Sequence, residues 1–179
     1  GGKYLPKAII FRPHNVYGER QKHAPVRKVV PTFVIAALKN EPIEIFGSGE
    51  QLLDLIYVKD CAEILVRALL LDHDNYNSVF EAGSGEPVTV NDLAQTIIKL
   101  AKSKSKIVYK PMRAGEPKRS VTLGDPSTLE ALAYRTLDLT PLEEGLKSTI
   151  PWYKKFYLPE LMHSAVTILA KNDKVRAKK

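Results

Sequence analysis

Three short clusters along the chain carry residue types that hold small polar or anionic molecules. Arg12-Pro13-His14-Asn15-Val16-Tyr17-Gly18 ends the first apolar run, and Asn15 offers an amide that both donates and accepts at a strand end, where open α/β sheets place ligands. Ile43-Glu44-Ile45-Phe46-Gly47 brings an aromatic ring to the end of a strand-like run, five residues before Gln51. A ring in that position either fills a core or packs on a flat ligand. Arg113-Ala114-Gly115-Glu116-Pro117 sets a guanidinium, whose planar fork meets two phosphate oxygens at once, beside a glycine that lets the backbone turn sharply. Each cluster also has a plain structural reading: a local side-chain turn for Asn15, core packing for Phe46, and a surface arginine beside Lys110, Lys118 and Arg119 for Arg113.

Other chemistry is missing. The four histidines, His14, His23, His73 and His163, have no metal-ligand spacing. Cys61 is the single cysteine, so it has no internal disulfide partner and no second thiol for a metal. It opens an apolar helical pattern with Ile64, Leu65, Ala68 and Leu69, which reads as a packed, inert thiol. No catalytic residue is assigned.

The 179 residues are 44% hydrophobic and 26% charged, an ordinary globular composition with enough chain for one domain. No run approaches the ~18 apolar residues of a membrane span, and the N-terminus has no apolar signal region, so the expectation is a soluble, cytoplasmic protein without membrane partners. The formal net charge of +7 invites a nucleic-acid reading, but five basic residues and one acid in 171–179 supply four of those charges. A basic terminus without a recognition motif reads as solvated. The modest remaining excess suits an anionic small molecule.

The elements that must position these clusters alternate. Lys7 to Phe11 and Val79 to Gly83 read as buried strands, and Val29 to Leu38 reads as a helix with Pro31 in its first turn. Glu44 to Gly47 and Leu53 to Val58 flank Ser48-Gly49-Glu50 and read as a hairpin. Asp60 reads as the N-cap of a helix running to about Leu71. Thr89 and Asp92 form a capping pattern for a helix to about Lys102, with Leu93, Ile97 and Leu100 on one face. Lys106 to Tyr109 is a strand, Ser127 to Ala133 a helix after Asp125-Pro126, and Pro141-Leu142-Glu143 opens a helix towards Trp152. A last short helix, Glu160 to Leu169, precedes the basic tail. The organisation is therefore residues 1–158 as one unit and 159–179 as a terminal helix and tail.

Taken together, the Asn15 cluster, the Gly49-Glu50-Gln51 to Asp60 stretch and the Arg113 loop resemble the extended short-chain dehydrogenase/reductase family, the NAD-dependent nucleotide-sugar epimerases and dehydratases. The resemblance runs from about Ile9 to Phe156. It implies an α/β fold: the C-terminal part of a Rossmann-type enzyme, with a substrate-binding subdomain of hairpin and helices and two strands of a larger parallel sheet. The family's glycine-rich cofactor fingerprint is absent, and only fourteen residues precede Asn15, where the Tyr-x-x-x-Lys pair would lie about thirty residues upstream. Tyr4 and Lys7 have the wrong spacing.

By the same resemblance, Pro13 and Val16 would face NAD, and His14 and Asn15 the substrate. The Ile43 to Phe46 segment would flank the nucleotide base, Arg113 would grip the diphosphate, and Glu116 of the same loop would also lie at the substrate. The family carries a second diphosphate-binding arginine where this chain has Leu53. Without that charge-assisted bond to a phosphate, binding is weaker by roughly 1.5–3 kcal/mol, or one to two orders of magnitude in affinity, unless Lys28 or Arg119 compensates. The resemblance therefore implies a nucleotide-sugar-binding half, most like a UDP-glucose 4-epimerase, without turnover alone. The alternative is a non-catalytic binding or assembly module that completes a separate cofactor domain, or pairs as a homodimer.

Overall fold

The computed structural model describes residues 8–70, 78–117, 120–132 and 139–159. Three small sheets organise it. β1 (Ile10–Pro13) pairs in parallel with β5 (Val79–Ala82), from Ile10 opposite Val79 to Pro13 opposite Ala82. β2 (Asn15–Tyr17) runs parallel to the second half of β4 (Leu52–Tyr57). The first half of β4 is flanked by β6 (Pro87–Thr89), antiparallel, and β8 (Val121–Thr122), parallel. β3 (Ile43–Phe46) pairs in parallel with β7 (Ile107–Lys110).

The helices follow from apolar spacing and caps. In α1 (Val29–Lys39) the buried Val30, Phe33, Val34 and Ala37 fall on one stripe. Asn40, with φ of 55°, ends the helix and returns its N–H to the last carbonyls. In α3 (Val90–Ala101) the Thr89 hydroxyl accepts from the Asp92 N–H at 2.9 Å, as the capping pattern requires, and Leu93, Ala94 and Ile97 are buried. α1, α3 and α4 (Leu142–Trp152) pack with the β3 and β4 strands around one core containing Tyr17, Phe33, Ile45, Leu146 and Tyr153. A second cluster joins α2 (Val58–Leu70) to β5 and to the 3-10 turn Pro126–Leu132 through Ile64, Ala68, Phe80, Leu129 and Leu132.

Several expectations are corrected. The hairpin does not form: β3 and β4 lie in different sheets. The edges that would have joined them are taken elsewhere, since the Gly47 N–H donates to the Lys110 carbonyl at 2.9 Å and the Leu52 N–H to the Ser120 carbonyl at 2.9 Å. Gly47 and Gly49 have φ near 80° and swing the chain from one sheet to the other instead of folding it back. β2 is a strand that the sequence pattern does not reveal. Its three residues are too few to show a period and are held by pairing with β4.

Asp60 lies inside α2, two residues after its first, and its carboxylate accepts from the Thr140 N–H at 2.8 Å and hydroxyl at 2.9 Å. It ties α2 to the approach to α4 rather than capping its own helix. Pro141 sits at the N-cap of α4, one position earlier than expected. The β1 strand is not buried on both faces: Ile10 is 48% exposed while Phe80 and Ala82 are buried. α2 and the 3-10 turn pack on the second cluster with β5, and Leu65, Val66, Leu69 and Leu70 of α2 are more than half exposed. The helix expected at 160–169, the basic tail and Arg119 lie outside the described residues.

Candidate functional site

The loop between β2 and α1 delivers the first cationic groups. It leaves β2 at Gly18, where a Cβ would meet the Val58 side chain at 2.4 Å. The Tyr153 hydroxyl donates to the Gln21 carbonyl, and the Tyr157 hydroxyl accepts from the His23 N–H at 3.0 Å. Gln21 in turn donates from its side chain to the Val16 carbonyl at 2.8 Å. Held this way, the loop brings Arg27 and Lys28 to the start of α1. Lys28 is the N-cap position, no side chain caps the helix, and its first turn contains no acidic residue. Its free N–H groups and the positive end of its dipole therefore favour an anion.

Two cavities open here. One, of about 290 Å³, is lined by Arg27, Lys28, Thr32, Phe46, Leu53, Arg113 and Glu116, among others. The other, of about 280 Å³, is lined by His14, Asn15, Val16, Tyr17, Gln21 and Leu55. Lys28 and Val29 line both, so the uncapped helix start stands between them.

The structure thus brings together most residues singled out from the sequence. Arg113, Phe46, Glu116 and Lys28 share the first cavity, and His14, Asn15 and Val16 share the second with Lys28. The Arg113 guanidinium lies 4.0 Å from the centre of the Phe46 ring and donates to the Glu116 carboxylate at 3.1 Å. Ile43 is not brought there. It sits at the far end of β3, fully buried in the first core, and only the strand that carries it reaches the cavity. Pro13 is exposed at the end of β1, and Val16 packs on the second hydrophobic cluster.

Asn15 donates from Nδ2 to the Asp54 carbonyl at 3.0 Å, a link across 39 residues rather than a local turn. His14 is wedged: its Nε2 is 3.7 Å from the Glu81 carboxylate, and a Cβ on Gly124 would stand 2.7 Å from it. Arg27, Thr32 and Gln51 line the first cavity without having been singled out as site residues. Arg27 stands next to Lys28 in a polar loop, and nothing in its spacing separates it from the other loop cations. Gln51 donates to the Phe46 carbonyl at 3.0 Å, fixing the strand end that carries the ring. Leu53 forms apolar wall and packs against the first core.

A carboxylate organises the ends of the strands. Asp54 is fully buried and accepts from the Ser84 N–H at 2.6 Å, the Ser84 hydroxyl at 2.8 Å, the Gly85 N–H at 3.1 Å and the Gly124 N–H at 2.9 Å. The glycine-rich turn after β5, Gly83-Ser84-Gly85, is therefore an anion cradle already filled by the protein's own side chain.

Tyr17, Tyr57 and Tyr153 are not activated as bases. Burial pushes the Tyr17 and Tyr153 hydroxyls well above the usual range, with Asp60 adding to the effect at Tyr17. Tyr57 and Lys59 stand side by side, the lysine 5.6 Å from the ring centre. Burial and then the hydrogen bond to Glu19 raise the Tyr57 hydroxyl, which donates to that carboxylate at 2.8–2.9 Å. That bond stabilises the phenol, the opposite of what proton abstraction requires. Burial also raises the Cys61 thiol, in keeping with an inert packed side chain.

The described residues of this α/β chain thus place two adjacent cavities on either side of an uncapped helix start. Comparison with known proteins shows what the chain is similar to. Residues 2–83 match the model of the NAD dependent epimerase/dehydratase family. A UDP-N-acetyl-alpha-D-glucosaminuronate decarboxylase of Bacillus cytotoxicus is 31% identical over 163 residues, covering 84% of this chain and 47% of the relative. A putative UDP-glucose 4-epimerase of Methanocaldococcus jannaschii is 33% identical over 147 residues, covering 81% and 45%. Among solved structures, a UDP-glucose 4-epimerase of Thermotoga maritima with UDP-glucose superposes with a TM-score of 0.73 at 33% identity, covering 82% of this chain and 46% of that one. Over most of its own length the chain is similar to NAD-dependent epimerases and decarboxylases of the extended short-chain dehydrogenase/reductase family, and it spans about half the length of the curated relatives it matches.

The residues present do not fit the family's cofactor. A dinucleotide needs free backbone N–H groups on a glycine-rich turn leading into a helix. Here β1 runs on to β2, and the turn after β5 gives its N–H groups to Asp54. No dinucleotide site is made among the described residues.

Proposed function

We propose that this chain is the nucleotide-sugar-holding portion of an NAD-dependent epimerase or dehydratase, most like a UDP-glucose 4-epimerase. The observation that carries the reading is the pair of cavities sharing Lys28 and the uncapped start of α1. Their combined shape and charge suit a ligand with a flat base at one end, two phosphates in the middle and a sugar at the other.

In this reading the diphosphate lies by Lys28 and the N–H groups opening α1, with Arg113 on one side and Arg27 reinforcing the charge. Arg27 and Lys28 then compensate for Leu53, where the family carries an arginine. The nucleoside occupies the Phe46 side of the first cavity, with Glu116 holding Arg113 in place. The sugar enters the second cavity near Asn15, whose Nδ2 bond to Asp54 leaves its carbonyl oxygen free to accept from a sugar hydroxyl, and near His14. Pro13 and Val16 would form only the rim of a nicotinamide site supplied from elsewhere. NAD supplies hydride transfer when bound. The contribution of this portion is to bind and orient the sugar nucleotide, and alone it has no turnover.

A second reading is supported by a separate observation. Ile10, Leu65, Val66, Leu69 and Leu70 are exposed apolar residues near the β1–β5 sheet, which has two strands among the described residues, a surface that a cofactor-binding domain or a second copy would cover. As an assembly module, the chain would show activity only on mixing with that domain. Calorimetry with UDP-glucose tests the first reading. Binding that weakens at least about tenfold in Lys28→Ala and in Arg113→Ala is expected, one charge-assisted bond to a phosphate being worth that much. Absence of binding to the unsubstituted chain, with activity appearing when a cofactor domain is added, would favour the second.

A further inference from the structure

The aromatic ring at the end of β3 has a cation over it. Arg113 stands 4.0 Å from the centre of the Phe46 ring, within the range where the ring's quadrupole attracts a guanidinium. On its other flank the same guanidinium meets Glu116 at 3.1 Å. Arg113 and Glu116 are half-exposed, and a long arginine on a glycine-containing loop would otherwise sample many rotamers. Gly115, with φ of 84° and nothing within 4 Å of its Cβ direction, marks a loop that is not itself held by packing at that point. The ring is the better anchored of the two: it sits on a β-strand whose end is fixed by the Gln51 bond to its carbonyl at 3.0 Å and by the Gly47–Lys110 ladder bond.

We infer that Phe46 is a positioning residue for Arg113: its ring holds the phosphate-binding arginine in place. Ring and carboxylate together hold the guanidinium over the cavity before any ligand arrives, so that less rotamer freedom is lost on binding. The inference rests on the nucleotide reading above for the identity of the ligand, but its physical content concerns only the arginine and an anion.

The test is calorimetric titration of the full 179-residue chain, at low salt, with UDP and with inorganic pyrophosphate. The proteins are the unsubstituted chain, Phe46→Leu, Phe46→Tyr, Arg113→Ala and the Phe46→Leu/Arg113→Ala double variant. Phe46→Leu should weaken UDP and pyrophosphate by the same factor, roughly 3- to 10-fold. Phe46→Tyr, which keeps the π-face, should bind as the unsubstituted chain does, and Phe46→Leu should add nothing once Arg113 is alanine. Loss of UDP binding with pyrophosphate unchanged would make the ring a base platform and overturn the inference. So would loss that persists undiminished in the Arg113→Ala background, or no loss at all. A chain that holds UDP no more tightly than pyrophosphate would sink the nucleotide reading instead, while the pyrophosphate cycle still decides the role of the ring. Failure to bind either anion would overturn both.

Discussion

Replacing Asp54 by asparagine removes one charge and changes almost no volume, yet the structure predicts a large loss of stability. One carboxylate oxygen accepts from the Ser84 N–H and hydroxyl, and the other from the N–H groups of Gly85 and Gly124. An asparagine keeps one oxygen and therefore one pair of these bonds. Its NH₂ then points donors at donors, leaving two groups without partners at a fully buried position. At about 1–3 kcal/mol for each buried donor left unpaired, the cost is about 2–6 kcal/mol, a large share of the ~5–15 kcal/mol that stabilises a typical domain. Urea unfolding followed by the fluorescence of Trp152, the single tryptophan, should show the midpoint falling by about 1–3 M for a slope near 2 kcal/mol per M. Ser84→Ala, which removes only the hydroxyl bond, should cost roughly 1 kcal/mol. A loss below about 1 kcal/mol in Asp54→Asn would refute the reasoning, because it would mean that the turn finds other acceptors and that this carboxylate does not organise the strand ends.

Further outcomes are expected elsewhere in the molecule. Leu53→Arg adds a further arginine to the wall of the first cavity, beside Arg27, Lys28 and Arg113, and should tighten UDP by up to about tenfold, since Arg27 and Lys28 already supply part of that charge; weakened affinity in titration calorimetry would argue against a diphosphate there. Thr89→Ala removes the α3 cap and should lower stability by about 1 kcal/mol, read from the same urea curves. His23 is held below its usual value by burial and then by Arg27 and Lys39. The folded chain therefore takes up its proton less readily than the unfolded one, and this contribution to stability is present above pH ~6.5 and lost as pH falls through the lower folded value. His23→Asn should flatten that part of the stability–pH profile, and an unchanged slope would exclude the effect.

The sequence read most surely where chemistry repeats locally. α1 is legible from its apolar run with Pro31 in the first turn, and α3 from Leu93, Ile97 and Leu100 on one face and the Thr89–Asp92 cap, because these signals are local. The failures share a cause: pairings decided by distant partners. Two glycines around Ser48 read as a hairpin, but the ladders to Lys110 and Ser120 direct β3 and β4 into separate sheets. Asp60 looked like a cap because it opens a helical pattern, whereas its bonds go to Thr140, eighty residues on. At the site, Arg113 and Phe46 are singled out by residue type and family spacing and Lys28 as a cation that could compensate for Leu53, and the three line one cavity. Ile43, inferred from the same segment, faces the core because alternate residues of a strand point to opposite sides. Arg27 had no distinguishing pattern, and its place in the cavity wall emerges only from the loop held by Tyr153 and Tyr157. The filling of the Gly83–Gly85 cradle by Asp54 was likewise invisible, since it joins three segments far apart in the chain.

The most direct measurement is the amide NMR spectrum of the isolated chain during titration with UDP. A folded spectrum is expected, with saturable shifts gathered at Asn15, Lys28, Val29, Phe46 and Arg113 and little change around Cys61 and α2. A well-dispersed spectrum that does not respond to millimolar UDP, or shifts scattered over surface lysines alone, would contradict the claim that these two cavities hold a nucleotide sugar.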